Sequence, residues 1–253
     1  MESLHTGVPR ARLCAQRATQ IELDRLLRLA EEVDGCYDYQ GIYLGLVVVM
    51  WEEPDRYALE PHLVMSRDGE NWSWVGRQNA FIPHGPRGSF DEFNTQMGAG
   101  EPVRVDDKLH FYFSGRTYPH NPYYFRDQPE LVPKKVLKSE IAIGLATLRV
   151  DGFASLEDHW RGGWVMTKPF VCDGETLHVN VDSEYGELRV ELVDHGGDPI
   201  PGFTAEDCLP ISADSVDATV RWQNGVSLSG LTGQPIRLKF FLDKTRLYSF
   251  WVD

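Results

Sequence analysis

Basic residues are in short supply: 25 Lys and Arg stand against 38 Asp and Glu, which leaves a formal net charge of -13 over 253 residues. Nucleic acid and anionic membranes need concentrated cations to replace their counterions, so neither is an expected partner, and a neutral or cationic ligand fits the balance. Cysteine is scarce too. Cys14, Cys36, Cys172 and Cys208 lie far apart with no CxxC spacing, which signals neither a zinc knuckle nor a redox pair. They read as isolated buried thiols, with a Cys172 to Cys208 disulfide as the alternative.

Long apolar runs are missing. The longest, 43–51, is too short to span a bilayer, and the first ten residues hold no apolar core of signal-peptide length. A soluble, cytoplasmic chain is expected. The eight histidines show no HExxH or comparable metal spacing, and P-loop, GxGxxG and GxSxG motifs are lacking. No metal and no cofactor are expected. Helical periodicity is confined to 19–33, where Ile21, Leu23, Leu26, Leu27, Leu29, Ala30 and Val33 recur among charged residues with Gly35 as a stop.

What is present is β-type texture with an internal repeat. Pro61-His62-Leu63-Val64-Met65-Ser66-Arg67-Asp68-Gly69-Glu70-Asn71-Trp72 and Ile143-Gly144-Leu145-Ala146-Thr147-Leu148-Arg149-Val150-Asp151-Gly152-Phe153 share one plan: an apolar strand, an arginine, an Asp-Gly turn, then an aromatic that opens a second short strand. Each copy follows another apolar strand, 42–51 in the first and 109–114 in the second, so the unit is a meander of propeller-blade type. Trp72 and Phe153 hold matching places in the two copies. The run 45–50 lacks polar alternation and is expected to be covered on both faces.

Beyond Gly162 the strands shorten and alternate cleanly, at 164–168, 176–181, 187–193, 218–222, 236–242 and 247–252, with turns at Asp173-Gly174, His195-Gly196-Gly197 and Asn224-Gly225. That spacing indicates an antiparallel sandwich. The expected chain is all-β: an N-terminal helical segment over 1–36, a partial β-propeller of about two blades over 37–161, and a β-sandwich over 162–253.

Two propeller-type meanders followed by a sandwich resemble the carboxy-terminal half of glycoside hydrolase family 32 and 43 proteins. The run 140–156, with Thr167-Lys168-Pro169-Phe170 and Ile236-Arg237-Leu238-Lys239-Phe240, is similar to bacterial proteins labelled family-32-like. The resemblance implies a carbohydrate partner and O-glycosyl hydrolysis. The departures are specific: Arg67-Asp68 runs into Gly69, Arg126-Asp127 into Gln128, and Glu206-Asp207-Cys208 falls in the sandwich, so the family's aspartate and Glu-Cys motifs have no match here. A closed propeller also needs more strands than these, so either the gene product is truncated, or a partner chain or homo-oligomer completes the ring.

Glycoside hydrolysis requires two carboxyl groups flanking one bond. Asp91 and Glu92, in Gly88-Ser89-Phe90-Asp91-Glu92-Phe93-Asn94, lead into what reads as an innermost strand, and Glu101 follows Gly98-Ala99-Gly100, where missing side chains permit close approach. Glu101 is the expected acid or base, with Asp91 or Glu92 as second carboxylate. The competing reading makes Asp91 and Glu92 solvated loop acids and pairs Glu101 with Arg104 or Arg116. Most aromatics belong to the core, but Tyr118, Tyr123 and Tyr124, in the long 116–133 loop, are candidate sugar contacts. The expected function is a glycoside hydrolase-like protein acting on or binding carbohydrate, the alternative being a non-catalytic binding or assembly module.

Overall fold

The computed structural model describes residues 33–253 except 54–55, 77–78, 99, 120–139, 159 and 224. The helix expected over 19–33 lies outside these residues, save that Val33 and Gly35 belong to a strand. The described chain is all-β, with two blade-type meanders followed by a sandwich. It divides into compact units at Val150 and Asp151.

The first unit opens with a four-stranded antiparallel meander: β1 (Val33–Tyr39), β2 (Ile42–Glu53), β3 (Arg56–Ser66) and β4 (Trp72–Trp74). Gln40 and Gly41, both with positive φ, make the two-residue turn that matches strand twist. After β3 the Asp68 carboxylate caps the turn, accepting from the amides of Glu70 (2.9 Å) and Asn71 (2.7 Å) and from the Ser66 hydroxyl (2.9 Å). The Asn71 side-chain amide, which donates to the other carboxylate oxygen at 2.8 Å, and then these donors hold the Asp68 carboxyl well below the usual carboxylate range. In β2 the expected cover on both faces holds for Gly45, Leu46 and Val47, whereas Val48 and Val49 are half-buried and Met50 is exposed near the strand's far end.

The second meander contains β5 (Asn94–Met97), β6 (Val103–Val105), β7 (Lys108–Arg116) and β8 (Ile141–Arg149). β5 and β6 pair with successive parts of one edge of β7, and β8 takes the other edge over nine residue pairs. A parallel register, Leu59 with Asn94, joins the meanders into one eight-stranded sheet. Leu109, Phe111 and Phe113 of β7 are buried beneath the 79–93 connection, where Phe81 meets Phe111 edge-on at 5.1 Å and Phe90 stacks on Phe113 at 6.0 Å.

The second copy of the repeat departs from the first. Its left-handed residue is Asp151 itself, with φ of 59°, where the first copy uses Gly69. The chain then leaves the β7–β8 sheet, and β9 (Leu156–Asp158) pairs with residues 245–247 instead of returning along β8. Trp72 lies on a strand paired with Ser66, while Phe153 lies in a turn, so the two are not structural equivalents.

In the second unit one sheet has β15 (Pro235–Asp243) at its centre, flanked by β13 (Glu187–Val193) on one edge and by β10 (Gly163–Met166) and β11 (Phe170–Val171) on the other. The other sheet runs β14 (Asp214–Thr219), β12 (Leu177–Asp182), β16 (Thr245–Val252), β9. Alternate residues of both sheets interleave in one core, among them Leu177, Val179, Val181, Leu188, Val190, Leu238 and Phe240. Cys172 and Cys208 are buried free thiols, not a disulfide, and burial pushes both up; Cys36 is exposed.

Candidate functional site

Three of the sequence candidates, Asp91, Glu92 and Tyr118, lie in segments that meet at the joint between the meanders. There the Leu59 amide, on β3, donates both to the Phe93 carbonyl (3.1 Å) and to the Asn94 side-chain oxygen (3.0 Å). The Asn94 amide nitrogen donates to the Tyr118 carbonyl (3.2 Å), and the Phe93 amide to the Arg116 carbonyl (3.2 Å). A single buried asparagine therefore ties β3, the start of β5 and the residues leaving β7. Its amide matches these partners with a donor and an acceptor, so the knot leaves no orphaned group of its own.

Asp91 and Glu92 sit half-buried in the loop that ends at this knot. Asp91 accepts from the Ser89 hydroxyl (2.6 Å), and Glu92 accepts from the Gly88 amide (2.7 Å). Two glycines create the space. A Cβ at Gly85 would overlap the Asp91 carboxylate, and one at Gly115 of β7 would come within 2.7 Å of the Asp91 Cβ. The loop is thus clamped between its own first turn and the end of β7.

One carboxylate in this region went unnoticed in the sequence. Glu60 reaches His62 Nε2 with one oxygen (3.1 Å) and His84 Nδ1 with the other (3.2 Å), and both rings are buried. His84 Nε2 lies 2.8 Å from the Leu59 carbonyl, which can only accept, so that nitrogen carries a hydrogen. The i, i+2 spacing of Glu60 and His62 on a strand puts them on one face, but nothing in the sequence announces His84 as the third member. The donor atoms of the three point at one another, not at a common centre. Among the described residues no group of His, Cys, Asp or Glu is arranged to hold a metal ion.

Glu101 is elsewhere on the sheet. It is exposed on the connection between β5 and β6, and β6 itself is exposed along its whole length, so Glu101 does not enter a buried inner strand. Neither expected arginine pairs with it: Arg104 donates to the Asp106 carbonyl (3.2 Å), and the guanidinium of Arg116 lies 6.0 Å from the Tyr118 ring centroid. Its neighbour is Tyr37 of β1, whose buried phenol is pushed up, mainly by desolvation and further by the charge of Glu101. No hydrogen bond or ion pair among the described residues links Glu101 to Asp91 or Glu92.

Tyr118 is half-buried beside Arg116 at the end of β7, and the Arg116 Nε is a buried donor with no hydrogen-bond partner among the described residues. Tyr123 and Tyr124 lie outside the described residues. No helix among the described residues is long and apolar enough to cross a membrane.

No known family profile matches the chain, and no curated protein does. Among solved structures, similarity is found to a glycoside hydrolase family 43 arabinoxylan arabinofuranohydrolase from Bacillus subtilis, with 11% identity, a TM-score of 0.27, and coverage of 87% of this chain and 53% of that one. A second, titled only as a glycoside hydrolase, gives 8% identity, a TM-score of 0.28, and coverage of 87% and 59%. The chain spans little more than half the length of either. Likeness at this level assigns no activity, so function has to be argued from the side chains.

Proposed function

We propose that this chain is a glycoside hydrolase-like protein that binds carbohydrate at the joint between its meanders. The observation that carries the reading is the clamped 85–94 loop, which presents Asp91 and Glu92 at the end of β7 where Arg116 and Tyr118 emerge. Sugars are recognised by carboxylates that accept from hydroxyls, by planar donors and by aromatic faces that cover C–H groups, and these four side chains supply all three. The Arg116 Nε, which has no acceptor among the described residues, gains one when a ligand hydroxyl arrives.

Binding is favoured over turnover by the separation of the carboxylates. Hydrolysis needs two carboxyl groups facing one glycosidic bond across a fixed gap, and Asp91 and Glu92 precede β5 whereas Glu101 follows it, at the strand's opposite end. A glycan array probed with the folded chain tests the reading. Retention of specific glycans, lost in Tyr118→Ala and in Glu92→Gln, supports it. An empty array refutes it. Turnover is tested separately on aryl glycosides and fructans: robust hydrolysis that Glu101→Gln abolishes would replace a binding protein with an enzyme whose acid or base is Glu101.

A further inference from the structure

The loop that bears Asp91 and Glu92 stands with both feet on one residue. At its end the Leu59 amide donates to Phe93 and Asn94 as described above; at its start the Leu59 carbonyl accepts from His84 Nε2 at 2.8 Å. Between the feet the Gly85 amide donates to the Asp91 carbonyl at 3.2 Å, so the loop closes on itself. The chain arrives at this point along the edge of β3, where Ala80 bridges His62 and the Phe81 amide donates to the Pro61 carbonyl at 2.7 Å. The two feet differ in chemistry. A backbone carbonyl and a carboxamide form the far one and do not titrate near neutrality, whereas the near one is an imidazole, which does.

His84 faces an acceptor on each side. Its Nε2 meets the Leu59 carbonyl and its Nδ1 meets one oxygen of Glu60 at 3.2 Å, while the other Glu60 oxygen takes the Nε2 hydrogen of His62 at 3.1 Å. An imidazole that serves two acceptors needs a hydrogen on both nitrogens, which makes it the imidazolium; the neutral ring has one hydrogen and turns a lone pair on either Leu59 or Glu60. Among the described residues the groups around this pair come from three strands and the loop. β3 supplies Glu60 and His62; β2 supplies the apolar Val49 and Val47, their register partners; β4 supplies the uncharged Trp74, edge-on to His62 at 5.8 Å. Within the loop, Asp91 is held by Ser89 and Glu92 by the Gly88 amide. We propose that His84 is a pH-operated latch on the 84–94 loop: the imidazolium fastens the loop's first foot to Leu59 and Glu60 together, and loss of its one extra proton frees that foot. The folded arrangement binds a proton that the freed ring gives up, so the hold is present in mild acid and lost as pH rises. That the latch controls ligand binding rests on the carbohydrate reading above; that it exists does not.

Ring-nitrogen NMR on the isotopically labelled full chain reads the proton directly. At about pH 7, where an unconstrained imidazole has mostly lost one hydrogen, both His84 nitrogens are expected to bear one, and at about pH 9 only one nitrogen does. Over the same range hydrogen-exchange protection across residues 85–93 falls about tenfold, while β13 and β15 keep theirs. Glu60→Gln separates the latch from a merely structural contact: its carboxamide oxygen accepts from His62 and its nitrogen donates to a neutral His84, a fit that needs no extra proton, so loop protection in this variant stays level with pH. Affinity for the glycan that the array retains follows the same course, with about a tenfold drop in the wild type and none in Glu60→Gln. A His84 ring with a single hydrogen at about pH 7, or wild-type loop protection that does not change with pH, overturns the latch. So does a folded Glu60→Gln variant whose loop titrates as the wild type does. A loop that loosens with no change in glycan affinity overturns the control of binding. A chain that retains no glycan refutes the carbohydrate reading, and the ring and exchange measurements still decide the latch.

Discussion

Leu59 and Asn94 are the register pair at which the two meanders meet, and the asparagine side chain reinforces the contact by accepting the Leu59 amide at 3.0 Å. Two local sheets therefore depend on one polar side chain that is itself buried. Replacing it with alanine leaves the Tyr118 carbonyl without its donor and removes one acceptor from the Leu59 amide. Asn94→Ala is expected to cost about 2–3 kcal/mol, within the range for stranding a buried polar group, measured by urea denaturation of the whole chain. A loss under half a kcal/mol would mean that the knot is dispensable.

Gly85→Ala probes the clamp on the candidate site. The added methyl overlaps the Asp91 carboxylate and the Ser89 hydroxyl, so one of them must move. A cost of about 1–3 kcal/mol is expected, as for overpacking elsewhere. Hydrogen exchange should quicken at the amides of residues 85–93 while β13 and β15 keep their protection.

Alkaline stability follows from three shifted groups. Burial raises Tyr37, Cys172 and Cys208 above their unfolded values, so the unfolded chain releases these protons first as pH rises. The folded state then binds more protons, and stability falls as pH rises through the unfolded values, about 8.5 for the thiols and about 10 for the phenol. Denaturation midpoints should decline in two stages over that range. Tyr37→Phe should flatten the second stage and leave the first.

Thiol labelling read by peptide mass mapping separates the cysteines. Cys36 is exposed and should react in the native protein, whereas Cys172 and Cys208, at 0% exposure, should react only after unfolding. Protection of Cys172 and Cys208 that persists in denaturant and disappears on reduction would show a disulfide instead.

The strands of the second unit were the most legible part of the sequence. Residues 187–193 are a strand in both readings, since one face of β13 enters the core and its pattern is set by burial. The 218–222 strand was misplaced: β14 lies at Asp214–Thr219, on the edge of its sheet, where polar residues such as Asp214 and Asp217 mask the alternation. The Asp-Gly repeat predicted two turns correctly but not their geometry, because which residue takes the left-handed conformation depends on where the chain goes next. In the first copy it returns along β3; in the second it departs to pair with β16. Asp91 and Glu92 were visible as acids in a glycine-rich loop. Glu60 was not, because its meaning depends on His84, 24 residues away and brought back by the 79–93 connection. Glu101 does not lie in buried structure, because β6, though apolar at two of its three positions, is exposed along its length.

The carbohydrate site is tested most directly by titrating the isotopically labelled chain with the glycan that it retains on an array and following every backbone amide by NMR. Saturable shifts confined to residues 85–94 and 116–118 are predicted, with the sandwich amides unmoved. Saturable shifts centred on the sandwich, or none near Asp91, Glu92 and Tyr118, would contradict the assignment.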